Sequence, residues 1–93
     1  MKTFAVFTHF VENAAEKRAP HREAHLAHLR ELHEKGALRM GGALQNPMDS
    51  GLLIFRAESA EEIEAALAND SYAKNGIWTK IVVREWSVVV GSP

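Results

Sequence analysis

The stretch "LLIFRAESAEEIEAALAND", residues 52–70, decides the fold. Its first half, Leu52 to Ala57, opens on a short continuous apolar run, the pattern of a strand buried on both faces. It passes directly into a helix start: Ser59 and Glu62 make an S-x-x-E capping box, in which the serine hydroxyl and the glutamate satisfy free backbone N–H groups reciprocally. Ile63, Ala66 and Leu67 follow as an apolar stripe at helical spacing, and the pattern stops near Asn69 and Asp70. A strand running straight into a capped helix is one half of a repeated unit, so the rest of the chain is read outward from it.

Upstream, "ALRMGGAL" (37–44) reads as a strand closed by the turn residues of "QNPMDSG" (45–51). Further back, Pro20 to Lys35 carries Leu26, Leu29 and Leu32 at intervals of three. Proline suits a first helical turn, and Gly36 suits the position just past the last one. "KTFAVFTHF" (2–10) is aromatic and β-branched, a strand. Downstream, "SYAKNG" turns the chain and "IWTKIVVREWSVVV" (77–90) predicts one long final strand. The order is β-α-β-β-α-β, an α+β, ferredoxin-like arrangement with a four-stranded antiparallel sheet and two helices on one face, in a single domain over residues 1–93.

Both faces of that sheet are apolar. Phe4 and Val6 point one way, and Ala5 and Phe7 the other. The helices cover only one side, and the chain is expected to be too short to cover the second, so a homodimer packed sheet against sheet is predicted.

Composition narrows the function classes. Hydrophobic residues at 46% and charged residues at 25% exclude a disordered chain. A net charge of −1 gives no basic face for nucleic acid. The absence of cysteine excludes disulfides, thiolate catalysis and iron–sulfur clusters. The apolar run from Phe4 to Phe7 is too short for a signal core or a membrane span, so a cytoplasmic location with no membrane partner is the default. No motif supports a nucleotide, flavin or haem, and no cofactor is expected.

The chemistry-bearing segment is "APHREAHLAHLREL", Ala19–Leu32, with His21, His25 and His28. With Leu26 at zero and about 100° per residue, Leu29 and Leu32 centre an apolar stripe at about 300°. Arg22 and His25 fall inside the stripe, at about 320° and about 260°, whereas His21 and His28 fall at its edge, at about 220° and about 200°, and are expected to be solvated. A buried arginine and histidine must find partners or line a polar pocket. A metal site is disfavoured: "HREAH" is not HExxH, and three histidines on one helix span about 10 Å.

In this topology the start of the first helix and the end of the second share one rim of the sheet, which brings Asp70 to His25. Thr8, His9 and Tyr72 reach the same rim. A carboxylate beside an imidazole fixes its tautomer for acid–base work. His25 and Asp70 are therefore the candidate catalytic pair, with Arg22, Tyr72 and His9 as candidate substrate contacts. A purely structural pair remains the alternative.

These residues carry a resemblance. "EKRAPHREAHLAHLRELHEKGAL" (16–38) and "ANDSYAKNGIWTKIVVREW" (68–86) resemble the two motif segments of the YCII-related (YciI-like) family of the dimeric α+β barrel superfamily. The resemblance implies a His–Asp dyad at His25 and Asp70, with Arg22 as the family's preceding arginine. It also implies a small-molecule ligand, since one branch is similar to dehydrochlorinases of chlorinated hydroxyquinol-type rings and the wider superfamily includes muconolactone isomerases. Ser71 in place of a proline, "GGAL" (41–44) in place of a Gly-Pro turn, "REW" (84–86) in place of Lys-Pro-Phe, and a short 45–51 loop depart from the pattern. The implied activity is cofactor-independent isomerisation or elimination; the alternative is a non-catalytic ligand-binding or accessory dimer.

Overall fold

A computed structural model describes residues 1–93. Strands β1 (Lys2–Phe10), β2 (Leu38–Ala43), β3 (Ser50–Ala57) and β4 (Trp78–Glu85) form one sheet in the order β2-β3-β1-β4, every neighbouring pair antiparallel. The helices are α1 (Ala14–Lys17), α2 (Arg22–Glu34), α3 (Ala60–Ala68) and α4 (Ser71–Lys74). The two long ones, α2 and α3, follow β1 and β3, so the expected βαββαβ order and ferredoxin-like sheet are present.

The capping box forms as read. Ser59 Oγ accepts from the Glu62 N–H, and the Glu62 carboxylate reaches back to accept from the N–H of Glu58, one residue before the cap. The stripe this launches buries Ile63 and Leu67 against Phe4, Val6, Phe55 and Ala57, each such side chain contributing about 1.5–3 kcal/mol by leaving water. At the end of α2, His33 donates from Nδ1 to the Leu38 carbonyl at 2.8 Å and so ties the helix to β2.

The structure adds a short helix, α1, and starts β3 at Ser50 rather than Leu52; three further differences from the sequence reading have identifiable causes. The helix predicted from Pro20 begins at Arg22, because Ala19–His21 is wound as a tighter 3₁₀ turn in which the His21 N–H bonds the Arg18 carbonyl. The "SYAKNG" turn contains α4, which Asp70 caps. The final strand ends at Glu85, not near Val90, because β1 starts at Lys2 and offers no partner beyond the Phe4–Glu85 pair and the Trp86 N–H bond to the Thr3 carbonyl.

Residues 86–93 instead run along the outer face of the sheet, where Trp86, Val88 and Val90 border the same groove as Met40, Leu52 and Ile54. The expectation that the chain could supply no cover of its own is thus corrected, although the cover is partial: Ile54 is buried while Phe7, Met40 and Trp86 stay exposed. No helix is long and apolar enough to cross a membrane.

Candidate functional site

Three elements bring the site together: the start of α2, the α3–α4 junction and the β1–β4 rim. Asp70 is wholly buried and sits in extended conformation at the N-cap of α4, where Oδ2 accepts the Tyr72 N–H at 2.9 Å. The same carboxylate receives two imidazoles. His25 Nδ1 lies 2.7 Å from Oδ2 and His28 Nδ1 lies 2.7 Å from Oδ1.

An ionised carboxylate only accepts, so both imidazoles donate from Nδ1–H, which leaves Nε2 of each as the bare nitrogen when the ring is neutral. Burial alone would raise the Asp70 pKa, but the hydrogen bonds from His25, His28 and the Tyr72 N–H together hold it below its ordinary value.

His25 is fixed in plane as well. Its ring stacks on Tyr72, centroids 3.6 Å apart and planes 5° from parallel, and meets the edge of Trp78 at 5.3 Å. Nε2 of His25 has no partner in the protein, yet no buried polar side-chain atom is left unsatisfied, so this nitrogen keeps access to solvent. It lines a cleft of about 130 Å³, close to the ~150 Å³ cavity that holds a benzene ring in an engineered core.

The cleft exists because the sheet floor is stripped of side chains. Gly41, Ala43 and Gly51 lie beneath it, and a Cβ at Gly51 would stand 2.6 Å from Thr8 Oγ1. Its walls are Phe10, Leu26, Leu29, Leu53 and Trp78, and its polar groups come from Thr8, Arg18, Arg22, His25 and Tyr72.

Of the residues singled out from sequence, His25, Asp70, Arg22 and Tyr72 converge here. Arg22 lines the cleft although its side chain is mostly exposed. His9 does not join them: along β1, Thr8 and Phe10 face the helices and the cleft, so the intervening His9 points from the opposite face into solvent.

The reading of His28 as a solvated edge residue is corrected by its bond to Asp70. The signal was available in the spacing, because His25 and His28 are three residues apart and so neighbours on one helix face, and a carboxylate has two oxygens to fill. Arg18 lay outside any periodic segment, and its place in the opening "EKR" (16–18) of the family-like segment was the one signal available. His21 contributes its carbonyl, which accepts from Ser71 Oγ at 3.3 Å, so this serine ties the 3₁₀ turn to α4. No three His, Asp or Glu side chains converge as metal ligands do.

The sequence pattern of the YCII-related domain matches residues 2–87. The chain belongs to that family. An uncharacterized protein of Haemophilus influenzae is 26% identical to this YCII-related chain over 95 residues, covering 92% of this chain and 97% of the relative. Among solved structures, 5-chloro-2-hydroxyhydroquinone dehydrochlorinase from Burkholderia phenoliruptrix, in complex with 2,5-dihydroxybenzoquinone, superposes with a TM-score of 0.77 at 26% identity, over 91% of this chain and 93% of that one.

Proposed function

We propose that residues 1–93 form a cofactor-independent enzyme of proton transfer, an isomerase or a lyase of the dehydrochlorinase type, acting on a small cyclic or aromatic compound. The observation that carries this reading is the His25 imidazole, held through Nδ1 by a buried carboxylate while Nε2 is left free in a ring-sized cleft. In the proposed step, Nε2 takes a proton from an acidified carbon or oxygen of the ligand. The Asp70 carboxylate stabilises the imidazolium that results, and Arg22 and Tyr72 hold the oxygen on which charge builds up. Returning the proton to another position isomerises the ligand, while loss of a chloride from the adjacent carbon completes an elimination. Positioned acid–base catalysis of this kind contributes typically ~10²–10⁴-fold, which suits substrates already activated by carbonyl or hydroxyl groups. The similarity to a dehydrochlorinase that binds a dihydroxybenzoquinone supports the ring-sized ligand.

The working form in this reading is a cytoplasmic homodimer joined through the outer sheet face, where Phe7, Met40 and Trp86 remain exposed beside a partly covering tail. Light scattering at micromolar concentration should give the mass of two chains; the mass of one chain would contradict it.

The activity is tested by incubating the protein with a panel of small lactones and chlorinated or hydroxylated aromatics, reading chloride release and ultraviolet change. A compound turned over by the wild type and at least ~10²-fold more slowly by His25→Ala supports the reading; equal turnover by the variant overturns it.

A further inference from the structure

The cleft is charged as well as shaped. Two guanidinium groups, Arg18 and Arg22, line it together with His25, and no aspartate or glutamate is among its lining residues. Neither arginine is paired within the molecule. The ion pairs present are Lys2–Glu85, Lys35–Glu31 and the two imidazoles with Asp70, so no carboxylate holds either guanidinium.

Only Lys2 and Lys35 among the basic side chains pair with a carboxylate, so what sets Arg18 and Arg22 apart is their place: both line the ring-sized cleft that holds a free imidazole. They share the cleft with Tyr72: burial raises the pKa of that phenol, and the charges of Arg18 and Arg22 with a hydrogen bond from Arg18 offset the rise only in part. Tyr72 lines the same cleft as both guanidiniums, and its hydroxyl stands beside Arg18.

The other walls are flat or aliphatic. Tyr72 lies edge-on to both Phe10 and Trp78, at centroid distances of 6.4 Å and 5.8 Å, and the glycine floor removes side-chain bulk from below. The cleft therefore has an apolar, ring-shaped body and a cationic rim with a phenolic donor.

We propose that the ligand of this cleft is a small planar ring bearing a carboxylate, its body between Trp78 and the glycine floor and its carboxylate held by Arg18 and Arg22. This assignment of substrate class rests on the proton-transfer reading of the same site. A guanidinium presents a fixed fork of donors that matches the two oxygens of a carboxylate. Arg18 is thereby a specificity-determining residue alongside Arg22, and the pair sets the charge of the ligand while His25 acts on its ring.

The probes are benzoate, its neutral isostere benzamide, and acetate, which has the charge without the ring, each titrated calorimetrically into the full-length protein at low salt. Benzoate is expected to bind at least roughly tenfold more tightly than either of the others, the scale of a charge-assisted hydrogen bond. Arg18→Gln and Arg22→Gln should each weaken benzoate, and the double variant should bind benzoate and benzamide alike. Both arginines are solvent-exposed in part, so these variants keep the core intact.

Equal binding of benzoate and benzamide by the wild type, no benzoate binding at millimolar concentration, or benzoate affinity unchanged in the double variant would each overturn the proposal. Failure of the two readings is distinguishable. Charge-selective binding with no turnover of any ring carboxylate leaves this inference standing and removes the enzyme, whereas turnover of neutral rings that depends on His25 but not on Arg18 does the reverse.

Discussion

His25 and Tyr72 lie ring against ring, 3.6 Å between centroids and 5° from parallel, so the phenol forms one wall of the imidazole's slot. The Tyr72 hydroxyl stands beside Arg18, a partly exposed side chain, whereas the residue as a whole is packed into the core at 2% exposure. Tyr72→Phe should therefore cost less than about 1.5 kcal/mol in urea unfolding, as a change that conserves packing. Tyr72→Ala should cost about 3–5 kcal/mol, because the ring leaves a cavity that the fixed sheet and helices cannot close.

His28 supplies half of the satisfaction of a buried carboxylate. His28→Ala leaves Asp70 Oδ1 without its 2.7 Å donor, at an expected cost of about 1–3 kcal/mol. His28→Asn should recover much of that loss, since an asparagine amide nitrogen sits at the same distance along the side chain as a histidine Nδ1. Equal melting temperatures for wild type and His28→Ala would show that the bond does not stabilise the fold.

Acid should reveal the Asp70 network. The folded-state pKa of Asp70 is held below its ordinary value of 3.8, so the unfolded state binds the proton more readily. The stability this group contributes is fully present above that ordinary value and is lost as pH falls through the lower folded one. The difference in unfolding free energy between wild type and Asp70→Asn should be largest near neutrality and shrink steadily below about pH 4. A difference independent of pH would contradict the ionised, triply bonded carboxylate.

Gly51 is required by what faces it. A methyl group there would meet Thr8 Oγ1 at 2.6 Å and the Gly42 carbonyl at 3.2 Å. Gly51→Ala should destabilise by about 1–3 kcal/mol, the usual cost of overpacking. In a Thr8→Ala background, where the nearer clash is gone, the same change should cost less; additive losses in the double variant would mean that the two positions do not press on one another.

Much of this arrangement was legible in the sequence because it follows from local signals that the fold did not need to override. The S-x-x-E box fixed the start of α3, and with it the position of Asp70 at the following junction. Helical geometry separated His25 from His21. It failed for His28, which lies at the stripe's edge yet reaches inward, because an Asp70 buried between elements accepts from a wider arc than an apolar stripe defines. His9 was misplaced because sharing a rim of the sheet does not fix which face a side chain takes, and alternation along β1 sends it away from the cleft. The end of β4 depended on where β1 begins, a non-local fact that no run of valines records. Arg18 belongs to the "EKR" opening of the family-like segment, but its place beside Arg22 comes from the 3₁₀ turn that carries the chain from one to the other.

In the proposed reaction His25 Nε2 moves a proton in the cleft. The most direct measurement of this transfer is the exchange of an acidic ring C–H for deuterium, followed by proton NMR in heavy water, on a cyclic keto or hydroxy compound that binds the protein. The wild type should catalyse the exchange, and His25→Ala should slow it by at least ~10²-fold while still binding the ring. Exchange at the same rate in both proteins would contradict the account.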